Sequence, residues 1–256
     1  MARHVEAWMD GTRLSDIGPI IIQDVNELPP DMEITYGVRA IRSGQNIQKY
    51  RRKSLRLTIE AAVRELFDLG KRTAVQQAMA GWASGSILEL SSHPGQQLHV
   101  ICKNVPTLGK IRDYTSILSI ELEADIIPFW EEKMSNEVTG TGSSGSATLL
   151  IPGTASEIPV EATFTPSGTI TTLTVTVVCG GVTRSIALSG FSTSSAVVFG
   201  RDSQDRLTIT AGSSSLLPYR LASSADDLIV PHGNATVSWS ASGSGSIKFS
   251  ARGRWL

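Results

Sequence analysis

Hydrophobic and polar residues alternate along most of this chain, and the alternation predicts strands. VEAWMDGTRL (5–14) alternates about Asp10-Gly11, a pair suited to the positive φ angles of a tight hairpin turn. SLRLTIEAAV (54–63) sets Leu55, Leu57, Ile59, Ala61 and Val63 against Arg56, Thr58 and Glu60. ILSIELEADI (117–126) does the same, with Leu118, Ile120, Leu122, Ala124 and Ile126 opposing Ser119, Glu121, Glu123 and Asp125. Both patterns predict half-buried antiparallel strands. Between them DLGKRTAVQQAMAGWA (68–83) changes period. Val75, Ala78, Met79 and Trp82 recur at helical spacing, and Gly81 and Gly85 suit the helix end.

The second half reads as short strands separated by Gly, Ser and Asp: 172–178, 184–188, 206–211, 234–241 and 246–255. Many short strands at this spacing predict a sandwich or jelly roll. The closing FSARGRWL reads as a last strand, with Phe249, Ala251, Gly253 and Trp255 inward. Arg252 and Arg254 then face solvent or a neighbour.

Charge divides the molecule. Residues 1–133 hold 16 of the 23 Lys and Arg and 17 of the 24 Asp and Glu, while Ser, Thr and Gly dominate the remainder. The Gly/Ser-rich stretch SNEVTGTGSSGSA (135–147) reads as a linker. The expected organisation is therefore an antiparallel β domain with one packed helix over 1–133 and a β domain over 134–256.

With 256 residues, 41% hydrophobic content and a net charge of −1, the composition is that of a globular protein. It gives no electrostatic argument for a nucleic-acid partner. No apolar run approaches the ~20 residues needed to span a bilayer, so no membrane insertion is expected. MARHVEAWMDG lacks the apolar region of a secretory signal, which suits synthesis in a reducing cytoplasm. Two cysteines 77 positions apart make no disulfide framework, and four histidines show no zinc spacing.

Candidate chemistry is sparse, and each candidate has a structural reading beside it. Cys102 and His99 have the residue types of a nucleophilic pair, but three positions apart on a strand they point to opposite faces. Cys102 shares the face of Leu98 and Val100 and reads as a buried apolar residue, as does Cys179. The acids Glu121/Glu123, Glu131-Glu132 and Asp226-Asp227 lack the spaced oxygen ligands of a metal loop. Arg51-Arg52-Lys53, a basic run with the chemistry to grip phosphate, also reads as solvated loop. Tyr219, His232, Trp239 and Trp255 contain the groups of a sugar-stacking platform, but both tryptophans lie in phase with core residues. No nucleophile, base and orienting group come together, and G-x-S-x-G is absent. No catalytic residue, metal or cofactor is assigned.

Larger pieces carry a resemblance. The opening VEAWMDGTRLSDIGPIII is followed by RLTIEAAVRELFDLGKRTAVQQAMAGWA and by ADIIPFWEE, with Pro128, Phe129 and Trp130 closing the first domain. The PHGN turn (Pro231–Asn234) and the RGRWL ending complete the series. In order and spacing, over nearly the whole chain, this resembles the distal tail protein of long-tailed, non-contractile bacteriophages. The resemblance implies an N-terminal domain that assembles into a homo-hexameric ring and a galectin-like C-terminal β-sandwich that projects outward. It implies a virion protein of the tail tip, assembled in the host cytoplasm. The implied partners are the tail tube protein, a lysin-like tail-tip hub protein, and receptor-binding proteins or side fibres. DNA would pass through the lumen without sequence-specific contact. Ile20, Ile21, Ile22, Arg51, Arg52 and Lys53 are the candidate subunit contacts. An adhesin acting through the sandwich is the alternative, with Tyr219 and His232 as candidate glycan contacts.

Overall fold

The computed structural model of the chain describes residues 5–38, 45–64, 69–104, 106, 108 and 115–256. It divides into two compact units, Met1–Trp130 with Leu256, and Glu131–Trp255. Each is mainly β.

Unit 1 opens with the expected hairpin. β1 (Ala7–Met9) and β2 (Thr12–Arg13) are joined by Asp10 and Gly11 at φ 48° and 80°, the left-handed pair that such a turn requires. β3 (Ile20–Leu28), β4 (Met32–Val38), β5 (Gln45–Arg52) and β6 (Leu55–Arg64) follow. Then come α1 (Leu69–Ala83), β7 (Ile87–Leu90), β8 (Gln96–His99), β9 (Ile101–Cys102) and β10 (Thr115–Ala124). β11 (Trp130–Glu132) carries the chain from one unit to the next.

β3, β6, β10 and β9 form one antiparallel sheet in the order β3-β6-β10-β9. Leu55, Leu57, Ile59, Ala61 and Val63 on β6 are buried beside Leu118, Ile120, Leu122 and Ala124 on β10, as their alternation predicts. The helix buries Val75, Met79, Trp82 and Ala83. Ala78, expected in the stripe, is exposed, because the apolar face turns toward Ala83 in the last turn. The indole N–H of Trp82 donates to the Thr12 carbonyl at 2.7 Å, tying the helix to the opening hairpin.

Unit 2 contains β12 (Asn136–Ile151), β13 (Ile158–Pro166), β14 (Ile170–Cys179), β15 (Val182–Thr193), β16 (Val197–Arg201), β17 (Leu207–Ala211), β18 (Ser214–Ser215), β19 (Ile229–Val230), β20 (Gly233–Ala251) and β21 (Arg254–Trp255). Three features of unit 2 differ from what the sequence pattern predicts.

The stretch 135–147 is not a linker: Asn136 to Ile151 is one strand paired antiparallel with β20 along its length. Its glycines serve packing. A Cβ added at Gly140 or Gly145 would lie 2.1 Å or 2.6 Å from the Trp239 ring, so only glycine lets the indole lie over the strand. The segments 234–241 and 246–255 are likewise not separate strands. β20 runs unbroken for 19 residues to Ala251.

β20 is the shared strand of one nine-stranded antiparallel sheet. Its first half pairs with β14, which pairs with β15, and its second half pairs with β13, followed by β16, β17 and β18. Phe164, Phe199, Phe249, Val175 and Val237 fill the core of the resulting sandwich.

The third correction concerns the ending. Alternation breaks at Arg252 and Gly253, between β20 and β21, and shifts the phase by one residue. Arg254 therefore turns inward, 4% exposed, and Trp255 is only half-buried.

Candidate interaction surfaces

The face of the β3-β6-β10-β9 sheet opposite its buried residues is built from cross-strand rows. One row joins Ile21, Ala62 and Ile117, of which Ala62 is buried at 3% and Ile117 is 58% exposed. The next joins Asp24, Glu60 and Ser119, and the next Asn26, Thr58 and Glu121. The exposed carboxylates Asp24, Glu60 and Glu121 thus come from three neighbouring strands, and the middle of this face is acidic. A fourth row, Leu28, Arg56, Glu123 and Ile101, closes it with an exposed aliphatic residue at each end. Open concavities of 310 and 380 Å³ flank Leu28 and Arg56. Glu123 takes the Lys103 ammonium at 2.8 Å, and this bond, followed by Ser54, holds its carboxyl below the usual range.

Ile20 and Ile22 on β3 are buried at 4% and 8%, whereas Ile21 on the opposite face is half-buried. Among the described residues β3 ends the sheet and has a strand partner on one side only, β6. β4 and β5 form a separate two-stranded antiparallel sheet. The side chain of Arg51 lies outside the described residues. The Arg52 guanidinium sits 5.8 Å from the Phe129 ring centroid. Lys53 is exposed, and its amide donates to the Asp31 carbonyl at 2.8 Å.

Near the end of unit 1, His93 and Trp130 stack at 4.2 Å between centroids and 9° between planes. Glu27 on β3 joins both: His93 Nε2 lies 2.9 Å from Oε1, and Trp130 Nε1 donates to Oε2 at 3.2 Å. The Glu27 hydrogen bond raises the pKa of His93 above its ordinary value, against a smaller opposing effect of burial. Nothing in the local sequence, SSHPGQQ, marks His93 for this role. Trp130 belonged to the PFW motif.

In unit 2, Arg254 Nε donates to Glu131 Oε1 at 2.7 Å and Nη2 to Asp205 Oδ2 at 2.9 Å. Arg201 grips Asp227 with two hydrogen bonds of 2.6 and 2.5 Å. Sequence reasoning found neither pair, since both partners lie far apart along the chain. Tyr219, 41% exposed, ends a short 3-10 turn with its ring 6.2 Å from Phe191. His232 is bound elsewhere: its amide and Nδ1 lie 3.3 and 3.2 Å from the Ala155 carbonyl oxygen.

Cys179 is buried, and burial pushes its thiol pKa up, the opposite of a reactive cysteine. Cys102 is half-buried, not buried as expected, and its thiol lies 3.0 Å from the Asn104 carbonyl oxygen. Among the described residues, no three His, Cys, Asp or Glu side chains cluster as a metal site. No helix of the described residues is long and apolar enough to cross a membrane.

No family model matches the sequence, nor does any curated protein. The fold nonetheless has a solved counterpart in a phage hub protein. The Dit hub protein of phage SPP1 (gp 19.1), a paradigm of the hub adsorption apparatus in phages that infect Gram-positive bacteria, matches with a TM-score of 0.71 at 15% identity. That match covers 98% of this chain and 99% of that one. The phage P2 baseplate in its activated conformation with Ca matches at a TM-score of 0.49 and 11% identity, covering 99% and 98% of the two chains.

Proposed function

We propose that this protein is a structural, non-enzymatic component of a phage tail tip. In this reading unit 1 closes into a hexameric ring between the tail tube and the tip proteins, and unit 2 faces outward toward receptor-binding proteins or fibres. The end-to-end fold match with the SPP1 hub protein carries the proposal.

The physical character of unit 1 supports it. A ring needs two different, complementary surfaces on each copy, because its contacts run head to tail. β3 offers one as a sheet edge with no strand partner among the described residues, bearing Ile20–Ile22, and closing a sheet on itself is the complete way to remove such edges. In composition the segment 32–53 is the opposite of the outer sheet face: it has Arg39, Arg42, Lys49, Arg51, Arg52 and Lys53 against Glu33 alone, while that face carries Asp24, Glu60 and Glu121.

Electron microscopy of the purified protein, or of the particle that contains it, tests the reading. The expected result is a six-fold ring whose wall is unit 1. A monomeric mass from micromolar to near-millimolar concentration, together with a virion that contains no such ring, refutes it.

A further inference from the structure

Glu27, His93 and Trp130 come from three separate parts of unit 1: the strand β3, the turn between β7 and β8, and the end of the stretch Met1–Trp130. The arrangement is asymmetric in what it can lose. Trp130 is 1% exposed and cannot change charge, whereas the His93 and Glu27 side chains are 28% and 30% exposed, within reach of water and protons. One carboxylate serves both partners, each on its own oxygen, while the imidazole lies flat on the indole. A proton on that ring therefore strengthens two contacts at once. It makes the Glu27 bond charge-assisted and places a cation against an electron-rich face.

We propose that this triad is a pH-responsive catch on the segment Pro128–Trp130, closed when His93 is protonated and loosened when it is neutral. The charged group acting on His93 is Glu27 from β3. Gln96 from β8 is a neutral neighbour, and the indole carries no charge. The direction follows from the partner. Glu27 raises the histidine above 6.5, so the catch is complete below about pH 6.5 and is lost as pH rises through the higher value of the folded protein. The working range thus lies above pH 6.5. A neutral imidazole can still donate to Glu27, so the change is a loosening and not a rupture.

The test uses the full chain labelled with ¹⁵N-histidine and 5-fluorotryptophan. His93 and Trp130 signals are followed by NMR from pH 5.5 to 9, with His93→Gln and Glu27→Gln beside the wild type. The expected result is a His93 midpoint above 6.5 and a Trp130 fluorine signal that moves with the same midpoint. In Glu27→Gln the His93 midpoint falls to 6.5 or below, and in His93→Gln the Trp130 signal no longer responds to pH. A Trp130 shift unchanged in His93→Gln, or a His93 midpoint indifferent to Glu27→Gln, overturns the proposal. Should either variant fail to fold, the wild-type chain decides: separate midpoints for His93 and Trp130 overturn it, and a shared one above 6.5 supports it.

Discussion

Replacing Gly140 with alanine adds a single methyl group at an extended position that alanine can adopt, yet it should destabilise unit 2. The new Cβ would lie 2.1 Å from Trp239 Cη2 and 2.7 Å from Cζ2, where ordinary contact begins near 3.4 Å. The indole must therefore move by more than an ångström. It has little room: Trp239 is 6% exposed, its centroid lies 6.3 Å from that of Phe249, and Gly145 approaches the same ring carbons. Forcing an extra carbon into such a site costs about 1–3 kcal/mol. Removing a flexible glycine from the unfolded chain offsets about 0.4–1 kcal/mol of that. The expected net loss is about 1–2 kcal/mol, or roughly 4–8 °C in the melting temperature of a unit of this size.

Thermal or urea unfolding followed by near-ultraviolet circular dichroism measures this change, and a double-mutant cycle identifies its origin. In a Trp239→Phe background the outer ring carbons are gone, so Gly140→Ala should become neutral or stabilising by up to about 1 kcal/mol. An equal loss in both backgrounds, or a gain in the wild type, refutes the reasoning.

Two further changes probe the ion pairs. Arg254→Met leaves the Glu131 carboxylate, 5% exposed, without its guanidinium and should cost about 3–5 kcal/mol in denaturant unfolding. Arg252→Met, at the exposed position two residues earlier, should change stability by less than about 0.5 kcal/mol; equal losses would mean that Arg254 is not the buried member. The Glu123 carboxyl is held below 4.5 chiefly by Lys103, so the folded state gains from this pair above pH 4.5 and loses the gain as pH falls through the lower folded value. Glu123→Gln should therefore flatten the acid side of the stability profile below pH 4.5 and lower stability above it, as denaturant midpoints from pH 3 to 7 would record.

Strand alternation and helical spacing carried most of unit 1, because local periodicity reports directly on which side of an element is buried. β6, β10 and α1 were legible for that reason, as was the turn at Asp10-Gly11. Local reading failed where the cause lay far away in sequence. Gly140 and Gly145 look like a linker until Trp239, nearly a hundred residues later, is set on them. Arg254 looks solvent-facing until Glu131 and Asp205 are brought to it. His93 looks like an ordinary turn residue, for the same reason. The surfaces were legible only in part. The Ile20–Ile22 segment drew attention by its apolarity, and the structure divides it into two core residues and one on the outer face.

The pairing of β12 with β20 also sets the timing of folding. Asn136 pairs with Ala251 and Ile151 with Gly233, so the first strand of unit 2 meets its partner only after about a hundred intervening residues. β13 and β14 need the same partner, since each pairs with one half of β20. During synthesis the β14–β15 hairpin can form as it emerges, but the nine-stranded sheet cannot be assembled around β20 until residues 233–251 have been made. Any product cut short before that point is a string of β-rich segments with open edges, the form most prone to aggregate. Unit 2 therefore folds late and as a whole, and a ribosome that stalls before residue 233 leaves nothing of it that can be used.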